Sequence, residues 1–74
     1  MKYIILEQSI PILFPDHVNH SDFKKLGNIT SAGFVEIDID DEKINVRVYG
    51  ESVTLKLKPM SGDNILIKIL LTTD

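Results

Sequence analysis

Cysteine is absent from the 74 residues. No disulfide framework, thiolate metal site or cysteine nucleophile is therefore possible. The absence is compatible with a reducing compartment such as the cytosol. Positive charge is also in short supply. Eight Lys and Arg stand against eleven Asp and Glu, for a net charge of −3. Phosphate binding needs a basic footprint, so nucleic acid is not an expected partner. Lys56 and Lys58 make too small a patch to change that. No apolar run is long enough to cross a bilayer. The one after Lys2 is broken at Glu7 and Gln8, too early even for a signal-peptide core, and no membrane partner is expected. No glycine-rich loop precedes a helix, and the residues around Ser52 do not form a Gly-x-Ser-x-Gly elbow. Repeats and low-complexity segments are missing too. These absences leave one small domain, residues 1–74. A chain of this size buries only about 60% of its unfolded surface, so its thin core relies on close packing or self-association. Abundant isoleucine, valine and leucine rule out intrinsic disorder.

The segment from Gly33 to Gly50 carries the clearest structural information. Val35, Ile37 and Ile39 alternate with Glu36, Asp38 and Asp40. Ile44, Val46 and Val48 alternate with Asn45, Arg47 and Tyr49. A period of two places successive side chains on opposite faces of a strand, so each arm has an aliphatic face and a polar one. The turn lies within Asp40-Asp41-Glu42-Lys43. With Asp40 opposite Lys43, Ile39 faces Ile44, Ile37 faces Val46 and Val35 faces Val48. Glu36 then faces Arg47, and Phe34 faces Tyr49. Cross-strand charge and aromatic pairs each add roughly 0.2–1 kcal/mol, and a one-residue slip would set aliphatic side chains against polar ones. Asp-Glu lacks the Asn-Gly signature of a tight primed turn, so a four-residue loop or a bulge is expected there.

Tyr3-Ile4-Ile5-Leu6 and Ile10-Pro11-Ile12-Leu13-Phe14 flank a polar Glu7-Gln8-Ser9 link and read as an N-terminal hairpin. Their continuous apolar character points to central strands, with Pro11 at a strand start or an edge. Asn19 or Ser21 caps a short helix near 20–26, with Phe23 and Leu26 on it and Gly27 closing it in a left-handed conformation. Gly33 marks a bulge or a close backbone approach. Val53, Leu55 and Leu57 alternate with polar residues as a further strand. Residues 62–71 fit a strand by their isoleucines. They fit a helix by a Ser61 or Asp63 cap with Ile65 and Ile69 on one face. The expected fold is α+β: a small, mostly antiparallel sheet of four to six strands with one or two short helices. The expected core is Ile4, Leu6, Ile12, Phe14, Val35, Ile37, Val46, Val48, Val53, Leu55, Leu57, Ile65 and Ile69.

Several short motifs resemble a group of small uncharacterised proteins of phages and prophages. They are Lys2-Tyr3-Ile4-Ile5-Leu6, Pro11-Ile12-Leu13-Phe14-Pro15, His20-Ser21, Thr30-Ser31-Ala32-Gly33-Phe34 and Gly50-Glu51-Ser52-Val53-Thr54-Leu55-Lys56-Leu57. The stretch from Pro59 through Asp63 to Ile65 belongs with them. The resemblance implies a protein of a bacterial host's cytoplasm. It also implies a helical ending after Pro59, although the Pro-x-Asp start of that helix is departed from here. It implies no activity, no cofactor and no catalytic residue.

Two clusters carry charge or ligand chemistry. Glu36, Asp38, Asp40, Asp41 and Glu42 form an acidic set on the main hairpin. Its first reading is a solvated face that discourages edge-to-edge pairing. Its second is a surface for a basic protein partner, with Phe34 and Tyr49 as aromatic anchors. A cation site comes last, because a calcium-hand loop counted from Asp38 has Lys43 in place of glycine and Tyr49 in place of glutamate. Phe34 and Tyr49 themselves are expected to stack with each other, to pack under the end of the chain or to join an interface. His17 and His20, three apart, are weak metal candidates without a third ligand of the right kind. So small a domain with surface carboxylates offers little cleft, and a non-enzymatic interaction protein is expected. Its partner would be another protein or, alternatively, a second copy meeting it at strand edges.

Overall fold

A computed structural model describes residues 1–72. The elements run β1 (Lys2–Leu6), β2 (Ile10–Phe14), a 3-10 helix (His20–Leu26), β3 (Ile29–Asp40), β4 (Lys43–Tyr49) and α1 (Asp63–Thr72). The strands form one antiparallel sheet in the order β2-β1-β3-β4. This is the small α+β fold expected. The apolar β1 is central and buried from Tyr3 to Leu6, whereas β2 is an edge strand and half-exposed. Pro11 sits in that edge, where its missing N–H costs no ladder bond.

Alternation sorts the sheet's side chains into two cores. Tyr3, Ile5 and Val35 meet Ile67 of α1 on one face, with Ile37, Val46 and Val48 around them. Ile4, Leu6, Phe14 and Ala32 line the other face, under Phe23 of the 3-10 helix and Leu55 and Leu57 of the loop between β4 and α1. Asn19 precedes the 3-10 helix, and its N–H donates to Asp22 Oδ2 at 3.3 Å. Gly27 ends it, but with φ 156° and ψ −161° rather than in the left-handed helical region. A bulge interrupts the β1–β3 ladder, where Ile5 pairs Ser31 and Leu6 pairs Ile29, leaving Thr30 as the extra residue.

The β3–β4 register matches expectation at each of the pairs named above, from Phe34↔Tyr49 to Asp40↔Lys43. The turn does not. Asp41 and Glu42 form a two-residue turn, with φ of 47° and 70°. Positive φ at both positions is what a primed turn demands to match strand twist, and the long ladder on either side holds two non-glycine residues there.

Three further expectations are corrected. Residues 53–57 are not a strand. Ser52 and Leu57 exchange backbone bonds across a tight loop, the Ser52 hydroxyl accepts the Leu55 N–H, and Lys56 takes φ 57°. Val53 is thereby turned outward and is 78% exposed. The segment after Gly62 is helix, but its buried residue is Ile67, while Ile65 and Ile69 are more than half exposed. Asp63 decides this. It is buried, and four residues on a helix bring Ile67 onto its side.

Candidate functional site

β1 reaches no further along β3 than Phe34, which pairs Lys2. From Glu36 to Asp40, β3 has only β4 beside it, so the hairpin continues as a two-stranded arm. Twelve residues of extended chain span roughly 40 Å, and the molecule measures 37 × 21 × 20 Å, so this strand sets its long dimension.

One face of the arm gathers the residues singled out above. Phe34, Glu36, Asp38 and Asp40 follow one another along it, with Tyr49, Arg47, Asn45 and Lys43 opposite. Asp41 and Glu42 stand exposed at the tip. Arg47 forms an ion pair with Glu36, and its guanidinium lies 5.0 Å from the centre of the Tyr49 ring. Both partners of the ion pair are exposed, so it adds little stability. Asp38 and Asp40, facing Asn45 and Lys43, are in no ion pair among the described residues.

At the base of this face the aromatics form a chain. Phe34 stacks on Tyr49 at 5.8 Å and 25°, and meets His20 edge-on at 5.6 Å. His20 meets Phe14 edge-on at 5.4 Å, and Phe14 contacts Phe23 at 4.4 Å. Phe34 and Tyr49 do stack, but the covering expected from the end of the chain comes instead from His20, since α1 lies on the opposite face. His20 is buried, and its Nε2 lies 2.8 Å from the Gly33 carbonyl. A carbonyl only accepts, so Nε2 is the donor. His17 is exposed. Among the described residues, no three His, Asp or Glu side chains are grouped as a metal site.

The other face of the arm is the aliphatic one, and there the structure adds something. Ile39 is 71% exposed, because nothing among the described residues covers the arm beyond α1. Ile44 pairs with it across the ladder and, with Ile65, lines a shallow cleft of about 290 Å³ between β4 and α1. Ile39, Ile44 and Ile65 thus form an aliphatic strip from the tip of the arm to the flank of the helix. The arm is two-faced, with carboxylates on one side and exposed isoleucine on the other. Alternation shows both faces. It does not show that only part of the aliphatic one finds a covering element.

No described helix is long and apolar enough to cross a membrane. Comparison with protein-family models, with curated proteins and with solved structures yields no match for this chain.

Proposed function

We propose that this chain is a non-enzymatic protein-interaction domain of phage or prophage type, acting in a bacterial host's cytoplasm through its β3–β4 arm. The observation that carries the reading is the exposure of Ile39, 71%, on the side of the arm opposite an acidic row. An aliphatic side chain held in water at the end of a projecting hairpin gains by transfer into a partner's apolar groove, at about 25 cal/mol per Å². The row of Glu36, Asp38 and Asp40 steers that encounter toward a partner with a basic rim, while Phe34 and Tyr49 hold the base of the arm rigid. The carboxylates of the arm are all exposed to water, Glu36 and Asp38 beside a shallow cleft of about 220 Å³, which supports binding over catalysis.

The test is an affinity pull-down from bacterial lysate, with nuclease and EDTA controls, comparing wild type with Ile39→Asp and with Asp38→Lys/Asp40→Lys. One saturable partner captured by the wild type and lost from both variants is the expected result. Identical partner lists for all three would sink the proposal.

The open edge of β4 favours a second reading, self-association. β2, at the other edge, is blunted by Pro11, whereas β4 carries no proline and presents unpaired backbone groups beside Ile44. Light scattering over a wide concentration range separates the two, since a strict monomer removes the second.

A further inference from the structure

A different part of the molecule holds a cleft unrelated to the arm. It lies on the α1 face of the sheet, where β1, the bulged start of β3 and the first turn of α1 meet, and encloses about 400 Å³. That is within the size range of small-molecule sites, roughly 300–1,000 Å³. Ile5, Ile65, Leu66 and Met60 supply apolar walls. Two polar groups in the lining are unusual.

The first is Ser31. It is 1% exposed, and its Oγ has no hydrogen-bond partner among the described residues. An orphaned buried hydroxyl is rare and calls for a specific explanation. Its position explains its isolation. The bulge sets Thr30 out of the ladder, and Thr30 Oγ1 donates to the Ile5 carbonyl and accepts the Gln8 N–H. Local bonding is thus completed by the neighbour, and Ser31 is left facing the cleft.

The second is Asp63, the only ionisable residue in the lining among the described residues. It is 4% exposed and has no cation within ion-pair reach among the described residues. Its Oδ2 accepts from the Tyr3 hydroxyl at 2.7 Å and from the Met60 N–H at 2.9 Å. A carboxylate at the first turn of a helix is favourably placed against the macrodipole, but its charge is still largely cut off from water.

We propose that this cleft binds a small aliphatic amine, with its ammonium head between the Asp63 carboxylate and Ser31 Oγ and its chain against Ile5, Ile65 and Leu66. The sign follows from the lining. An anionic head would meet Asp63 as a like charge. An ammonium donates to Asp63 and also to the hydroxyl oxygen that nothing else bonds. The walls formed by Ile5, Ile65 and Leu66 admit an aliphatic chain, with Gln8, Thr30 and Ser61 elsewhere in the lining.

The experiment is an NMR titration of ¹⁵N-labelled protein with three probes of equal chain length: n-hexylamine, hexan-1-ol and hexanoate. Hexylamine is expected to shift the amides of Thr30, Ser31, Gly62 and Leu66 in a saturable manner at millimolar concentration. Hexanol should shift them less and hexanoate not at all. Ser31→Ala should bind hexylamine about fivefold to tenfold more weakly, the worth of one hydrogen bond. That variant removes an unsatisfied group and is expected to fold, so its binding can be read directly. Three results would each overturn the proposal: shifts confined to the acidic arm, equal shifts from hexylamine and hexanoate, or undiminished hexylamine binding by Ser31→Ala.

Discussion

Tyr3 of β1 donates its phenolic hydrogen to Oδ2 of Asp63, at the start of α1, over 2.7 Å. Tyr3 is fully buried and Asp63 nearly so, and sixty residues separate them along the chain. The bond ties the helix to the central strand and selects the helical face that packs. Burial, with the hydrogen bond to Asp63 and the charge of Asp63 behind it, pushes the Tyr3 phenol well above its usual value. In the unfolded chain Tyr3 ionises near pH 10. In the folded chain it stays protonated there. The folded state therefore binds more protons, and stability falls as pH rises past about 10. At pH 8, Tyr3→Phe should cost roughly 1.5–3 kcal/mol, the range for a hydrogen bond to a charged group. At pH 11 the gap between wild type and variant should narrow. Urea midpoints at the two pH values check this, and a gap independent of pH would refute it.

The face of α1 gives a second expectation. Ile67→Ala should cost about 2–4 kcal/mol, as a fully buried isoleucine truncated to a cavity. Ile65→Ala and Ile69→Ala should each stay within about 0.5 kcal/mol, since both side chains are more than half exposed. A domain of this size has only about 5 kcal/mol in hand, so the first substitution should leave a measurable unfolded fraction in water. Circular dichroism with urea titration orders the three.

That contrast also marks where sequence reading succeeds and where it stops. The β3–β4 register was legible because two alternating arms can be aligned residue by residue, and only one alignment sets aliphatic residues against aliphatic ones. The face of α1 was not legible. Ile65, Leu66, Ile67, Ile69, Leu70 and Leu71 surround most of the helix with apolar groups, so periodicity alone picks no side. The deciding contact is polar and comes from Tyr3, far away in sequence. The expected strand over Val53, Leu55 and Leu57 failed for a related reason, since alternation cannot reveal that a strand lacks a partner, although Leu55 and Leu57 still pack on the core. The acidic side of the arm was read directly from the sequence. The exposure of Ile39 and the cleft at Ser31 were not, because both depend on which surfaces other elements leave uncovered.

The arm's turn is locally strained. Asp41 and Glu42 both hold positive φ, where a non-glycine residue costs roughly 1–2 kcal/mol. Asn and Gly suit these positions in a primed turn. Glycine forfeits part of the gain through its greater unfolded freedom. Replacing Asp41-Glu42 with Asn-Gly should therefore stabilise the protein by about 0.5–1 kcal/mol, read as a higher urea midpoint at unchanged slope. An unchanged or lower midpoint would show that the ladder, and not the turn, absorbs the cost.

Gly33 offers the sharpest steric prediction. A Cβ added there would lie 2.8 Å from Pro59 Cγ and 2.9 Å from the Tyr49 carbonyl oxygen. The strand cannot easily move away, because its Gly33 carbonyl also holds His20. Gly33→Ala should cost about 1–3 kcal/mol, as for overpacking in a tight core. Removing the proline ring relieves one of the two clashes and leaves the backbone oxygen in place. Pro59→Ala in the Gly33→Ala background should thus recover part of the loss. In a double-mutant cycle the two changes should couple favourably by about 0.5–1.5 kcal/mol. Strict additivity would mean that the Tyr49 backbone alone excludes a side chain at residue 33, and that the loop carrying Pro59 yields without cost.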